Sequence, residues 1–263
     1  MRRAAKSAVL LAALAVAGCA VEPAGTPTSS ADPGSSGSST TPCGTPVVAL
    51  DPGHNPVRIE SFDPMTGAAQ IDYPNGAEDR NVFAVAQQVA TTLRARGYRV
   101  VLLKRSVGES VSYRQRVARA EHAGAAIGIS IHTSPGVNAV FPQRVGGWRS
   151  GAGRGGRQTR VVFTNPATAA ASQRYSAAVA AARSRAEGHR VVVKDNDFGG
   201  RAPLWAGNLP IISLIAVNTP WVYNEFGPAG GAGGSIPVGA AALRAYAKGI
   251  SDGVLAALPR HCP

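Results

Sequence analysis

Cysteine is scarce in this chain, with three in 263 residues. That rules out a scaffold stapled by several disulfides and a metal cluster built from four thiolates. Acidic side chains are also few, 15 against 27 Lys and Arg, so the formal charge is +12. Long apolar runs are missing as well. The longest, residues 7–17, is too short to span a bilayer. Only five histidines are present, so any two that end similar strands stand out.

What is there begins with an export pattern. Met1-Arg2-Arg3-Ala4-Ala5-Lys6 is basic, residues 7–17 are apolar, and Gly18-Cys19 follows, the n-region, h-region and small-residue cut of a secretory signal. Val16-Ala17-Gly18-Cys19 resembles a bacterial lipobox, which makes Cys19 the lipidated first residue of the processed chain. Residues 20–41 are rich in Ser, Thr, Pro and Gly and offer no core. The expected organisation is therefore a signal peptide over 1–18, a disordered tether over 19–44 and one domain over 45–263. The expected location is the envelope side of the plasma membrane, anchored through Cys19. Cys43 and Cys262 then remain as a pair at the two ends of the domain in an oxidising compartment, and a disulfide between them is expected. Export also removes nucleic acid as the partner of the basic charge; an anionic envelope polymer is the better match.

Within the domain, Val47-Val48-Ala49-Leu50 reads as a buried strand closed by Asp51-Pro52-Gly53. Residues 55–76, broken by prolines and glycines, read as a loop. Residues 78–96 carry Val82, Val85, Ala86, Val89 and Leu93 at helical spacing and stop at Gly97. A strand over 98–103, a helix over 112–123 and a strand over 126–131 follow. Residues 146–160 form a basic, glycine-rich stretch with Trp148, Arg149, Arg154, Arg157 and Arg160; with Arg144 they read as a solvated loop before a binder of anionic polymer. Next come a strand over 160–164, a helix over 166–187, a short strand over 190–193, a strand over 221–225 and a closing helix over 238–258. This alternation predicts an α/β domain with a mostly parallel central sheet of about six strands, flanked by helices on both faces.

Two strands end on histidine: Val47 to His54 through Asp-Pro-Gly, and Ile127-Gly128-Ile129-Ser130-Ile131-His132. Open α/β sheets bind ligands at the carboxyl ends of their strands, and two neutral imidazoles on one point suggest a metal. His122, His189 and His261 lie in poorer contexts, within or near helix ends and beside a terminal cysteine. Metal hydrolases of this kind add a carboxylate ligand and a base. Glu78, opening the first helix, is the preferred ligand, although an acid at a helix start also has a purely electrostatic reason to be there. Asp72, Asp79 and Glu60 are its rivals. Glu225, an acid ending an apolar strand, is the preferred base.

At these residues the chain resembles the zinc-dependent N-acetylmuramoyl-L-alanine amidases of the amidase-3 type. The matching pieces are Leu50-Asp51-Pro52-Gly53-His54-Asn55, the helix from Glu78 through Ala84 and Ala86, Arg116 to Ala120 ahead of Ser130-Ile131-His132, and Glu225-Phe226-Gly227. The resemblance implies zinc on His54, Glu78 and His132, Glu225 as general base, and peptidoglycan or muropeptides as substrate, cut between N-acetylmuramic acid and L-alanine. Asp51 has two readings, as a carboxylate orienting His54 or as a turn residue. A monomer is expected. Departures lie on the substrate side: Asn55 replaces a glycine, Thr133-Ser134 an asparagine, Glu121 another asparagine, and Pro210 and Asn218 stand where a leucine-arginine pair belongs. Two rivals follow from them, a binding or regulatory module of the same fold and another metal-dependent amide hydrolase such as a deacetylase or peptidase.

Overall fold

The computed structural model describes residues 44–134, 136–195, 210–227 and 238–260, all within one compact unit, Pro42–Pro263. Cys19, Cys43, Cys262 and His261, with the expectations attached to them, lie outside the described residues. Ten strands and five helices are described. Six of the strands form the central sheet, in the order β4-β1-β5-β10-β6-β9: Arg99–Leu102, Val47–Pro52, Ile127–Thr133, Trp221–Phe226, Ala139–Pro142 and Val192–Val193. β4, β1, β5 and β10 run parallel; β6 is antiparallel to β10, and β9 follows β6.

The strands read as continuous apolar runs because both sheet faces are covered. On one face lie α1 (Ala77–Ala95), α3 (Pro166–Glu187) and α5 (Ala240–Ala257), packed on Val48, Leu50, Ile127, Ile129, Ile131 and Val222. On the other lie α2 (Tyr113–His122) and α4 (Pro210–Ile215), packed on Ala49 and Trp221. Helix ends follow local chemistry. Ser112 and Gln115 form a reciprocal capping box on α2, and Asn165 accepts the Thr168 N–H at 3.1 Å, with Pro166 in the first turn of α3. A Cβ on Gly128 would sit 2.4 Å from the Trp221 ring, so the indole fills the space that a β5 side chain would otherwise take.

Three readings of the sequence need correction. Residues 55–76 are not a plain loop: β2 (Ile59–Phe62) and β3 (Ala69–Asp72) form an antiparallel hairpin inside it. The basic stretch is also a hairpin, β7 (Trp148–Ala152) and β8 (Gln158–Val162), joined by a 3-10 turn at Arg154–Gly156. The expected strand over 160–164 is its second arm and lies outside the central sheet. Within it Arg149 is buried, Arg144 pairs with Asp195 at 2.6 Å, and Arg160 stacks 4.3 Å over Trp148. β6 and α4 went unread: four and six residues respectively are too short to show a period.

Candidate active site

The carboxyl ends of β1, β5 and β10 and the start of α1 meet at one end of the sheet. His54 follows β1 with φ +60°, a left-handed backbone that costs about 1 kcal/mol or more outside glycine. Two buried cations hold it there: its carbonyl accepts from Lys104 Nζ at 2.8 Å and Arg116 Nη2 at 2.7 Å. Arg116 also donates to Asp51 Oδ1 at 2.7 Å, to the Pro52 carbonyl at 2.9 Å and to the Val111 carbonyl at 3.0 Å. Asp51 in turn accepts from Ser130 Oγ at 2.7 Å, and Ser130 Oγ accepts from Trp221 Nε1 at 2.7 Å. Asp51 thus acts on the backbone that carries His54 and not on its ring.

The ring of His54 is oriented by other groups. Its Nδ1 lies 3.4 Å from Asp72 Oδ1, and its Nε2 lies 3.3 Å from Glu78 Oε2. Asp72 ends β3 and is fixed by Asn55, whose amide donates to Asp72 Oδ2 at 2.7 Å. The Asn55 side chain also exchanges hydrogen bonds with the backbone of Val111, at 2.8 and 3.2 Å. The residue standing in place of a second glycine therefore locks the β2–β3 hairpin beneath the histidine.

Glu78 sits between both imidazoles, with Oε1 3.4 Å from His132 Nδ1. It also accepts the Thr133 N–H at 2.7 Å and the Asn75 side-chain amide. His132 meets His54 edge-on at 4.9 Å and stacks on Tyr223 at 4.6 Å, while its carbonyl accepts from Tyr246 Oη at 3.2 Å. A Cβ on Gly53 would lie 2.0 Å from the His132 ring, so only glycine lets the two strand ends approach. One donor atom from each of His54, Glu78 and His132 lies within 4.8 Å of the other two, a buried group that could hold a metal ion. The rival acids fall elsewhere: Asp79 accepts the Asn75 N–H at 3.1 Å, and Glu60 is exposed beside Arg58.

Glu225 faces His132 across the β5–β10 register. Its Oε1 accepts from Tyr223 Oη at 3.1 Å, whereas its buried Oε2 has no hydrogen-bond partner among the described residues. Arg183, itself buried, donates to the Glu225 carbonyl at 3.0 Å and covers Tyr246 at 4.5 Å. Burial first, then the nearby Glu78 charge, pushes the Glu225 carboxyl up to about 8. Against the burial that disfavours its charge, the Asp72 and Glu78 carboxylates raise His54 to about 10. Glu78 is held well below the usual carboxylate range by His132 and His54 in spite of burial, and burial lowers His132. The directions of these shifts agree that the carboxylates favour positive charge at the centre of this pocket.

A family model described as N-acetylmuramoyl-L-alanine amidase matches residues 48–199. The chain belongs to that family. Similar folds include the amidase Ami1 of Mycobacterium smegmatis, with TM-score 0.53 and 17% identity over 81% of this chain and 96% of that one. Ami1 of Mycobacterium abscessus gives TM-score 0.53 and 14% identity over 81% and 98% of the two chains. AmiC2 of Nostoc punctiforme gives 0.50 and 16% over 80% and 96%. At such identities these structures support the fold alone. No curated protein matches the chain. As a family member, this protein is a peptidoglycan amidase that acts outside the cytoplasm, and no helix among the described residues is long and apolar enough to cross a membrane.

Sequence reasoning named Asp72 only as a rival ligand and missed Asn55, Lys104, Tyr246 and Arg183. Lys104 carried a usable signal, a lone cation closing the apolar run Val100-Val101-Leu102-Leu103, the same logic that singles out Glu225. Removing the Asp72 carboxylate with Asp72→Asn is expected to weaken metal binding about 10- to 100-fold, read by competition with a chromogenic chelator. Unchanged affinity would deny Asp72 its orienting role.

Proposed function

We propose that His54, Glu78 and His132 hold a zinc ion, and that Glu225 is the general base for hydrolysis of the amide between N-acetylmuramic acid and L-alanine. The observation that carries this reading is the Glu78 carboxylate set 3.3 and 3.4 Å from two imidazole nitrogens, beside a buried Glu225 oxygen without a partner. One donor atom from each of the three residues lies within 4.8 Å of the other two, and two imidazoles with one carboxylate are the donor types a hydrolytic zinc takes. Bound there, zinc supplies Lewis acidity to the scissile carbonyl and to water.

The chain supplies the rest. Asp72 Oδ1 stands 3.4 Å from His54 Nδ1, where its charge favours a proton on that nitrogen, and the Arg116 and Lys104 contacts fix the histidine's backbone. The free Oε2 of Glu225 takes the proton from the attacking water and returns it to the departing amine nitrogen. Tyr223 Oη holds the other oxygen of that carboxylate, which keeps Oε2 turned to the reaction. The same reading includes acylation at Cys19, a disulfide between Cys43 and Cys262, and a monomer; composition and cysteine placement support the first two.

Metal analysis of the purified protein followed by mass spectrometry of digested sacculi tests the reading. About one zinc per chain and release of free stem peptides are expected. Released acetate with the lactyl-alanine bond intact would make the protein a deacetylase, and neither metal nor product would leave it a binding module.

A further inference from the structure

The end of the domain farthest from the site is basic, and it is where the chain enters. β1, β4, β5 and β10 run parallel, so Val47, Arg99 and Ile127 lie at the opposite end of the sheet from His54, His132 and Glu225. The six residues of β1 put about 20 Å between these ends. Arg99 opens β4, and its N–H donates to the carbonyl of Pro46, the residue before β1, at 3.0 Å. Arg94 lies in the last turn of α1 and Arg96 caps it. Arg260, just past α5, donates to the Arg96 carbonyl at 3.1 Å.

All four arginines are exposed, and among the described residues none forms an ion pair. The acids at hand are otherwise engaged or withdrawn: Asp252 pairs with Lys248 at 2.5 Å, and Glu121 on α2 is half-buried. Each of Arg94, Arg99 and Arg260 gives one guanidinium nitrogen to a backbone carbonyl, which fixes the stems and leaves most of the five donors free for oxyanions. Meanwhile Asp51, Asp72, Glu78, Asp79 and Glu225 gather at the other end.

We propose that Arg94, Arg96, Arg99 and Arg260 form a docking surface for an anionic lipid bilayer, seating the domain with its active site turned toward the cell wall. Charge complementarity with lipid phosphates is one argument. The other is chain continuity: residues 19–43 separate Cys19 from the first described residue, Gly44, which precedes the strand entry beside Arg99. At no more than about 3.6 Å per residue, that stretch keeps Gly44 tethered within reach of Cys19. An acyl anchor at Cys19 would therefore bring this end of the domain to the bilayer but leave its orientation free, and the arginines supply the orientation. This choice of partner leans on the acylation reading, whereas the arginine surface itself is testable without it.

The test uses the unacylated chain from residue 20, which retains the whole compact unit Pro42–Pro263, in co-sedimentation with vesicles. Binding is expected to phosphatidylglycerol-rich vesicles and not to phosphatidylcholine vesicles, and it should fall as salt screens the surface. Arg94→Gln, Arg96→Gln and Arg99→Gln together should weaken it about 100-fold, and each alone about fivefold. The single variants keep the test open if the triple variant misfolds. Arg154→Gln, Arg157→Gln and Arg160→Gln on the β7–β8 hairpin remove equal charge and should leave binding nearly intact. Equal binding to both vesicle types, or loss with the hairpin variant but not with the arginine cluster, would overturn the proposal. Acylation is read separately from the mass of the full chain recovered from cells, so the two ideas fail independently.

Discussion

On the proposed assignment, Glu225→Ala is expected to keep its metal while peptidoglycan hydrolysis falls about 10²- to 10⁴-fold, the usual contribution of a positioned base. None of His54, Glu78 and His132 is hydrogen-bonded to the Glu225 side chain; Glu78 is held by Thr133 and Asn75, and His132 by Tyr223 stacking and Tyr246. His132→Ala, by contrast, removes a proposed ligand and should lose both metal and activity. The pH profile gives a second readout. The base works only when ionised, so kcat/KM should rise with pH through the Glu225 pKa. That value stands at about 8 in the metal-free pocket, raised by burial and the Glu78 charge. A bound dication favours the carboxylate and moves the acid limb below 8. In Glu225→Gln that limb should vanish from the residual rate. Full activity in Glu225→Ala would remove the residue from the mechanism.

Arg116→Ala should be the most destabilising single change in the domain, by about 3–5 kcal/mol. The guanidinium is buried and donates to the carbonyls of Pro52, His54 and Val111 as well as to Asp51. Its loss leaves the buried Asp51 carboxylate without its cation and removes the Arg116 bond from the Pro52 carbonyl. It also leaves the His54 and Val111 carbonyls with only Lys104 and Asn55 as side-chain donors, loosening the left-handed backbone of His54. Thermal unfolding of the metal-free protein should show a drop of roughly 6–20 °C. Arg116→Lys keeps the charge but cannot span the four acceptors, so it should recover only part of the loss. A Tm within a degree or two of the parent for Arg116→Ala would show that water replaces the network at little cost.

Much of this was legible from residue order. The strands over Val47–Pro52, Ile127–Thr133 and Trp221–Phe226 are buried on both faces, so their apolar runs stand out. Helix α3 is legible to the residue because proline and glycine mark its two ends. The short pieces were not legible. β2 alternates half-buried with exposed residues over only four positions, β3 and β7 show no alternation, and β6 is defined by the partner it pairs with. The site divides in the same way. His54, His132 and Glu225 each break an apolar strand pattern, so chemistry at those positions could be suspected from one sequence. Asp72 reaches the site from a short hairpin whose placement no local pattern encodes.

The sequence by itself determined the α/β class, the strand ends that carry chemistry and the family, because burial on two faces and strand-end polar residues leave one-dimensional traces. Only the tertiary structure decided which acid stands between the histidines. Glu78, Asp79, Asp72 and Glu60 are equivalent on paper; the hairpin register sends Glu60 to solvent, the first turn of α1 points Asp79 back at Asn75, and Asn55 pins Asp72 behind His54. That leaves Glu78 facing both rings. The choice rests on directions in space, set by packing between distant segments.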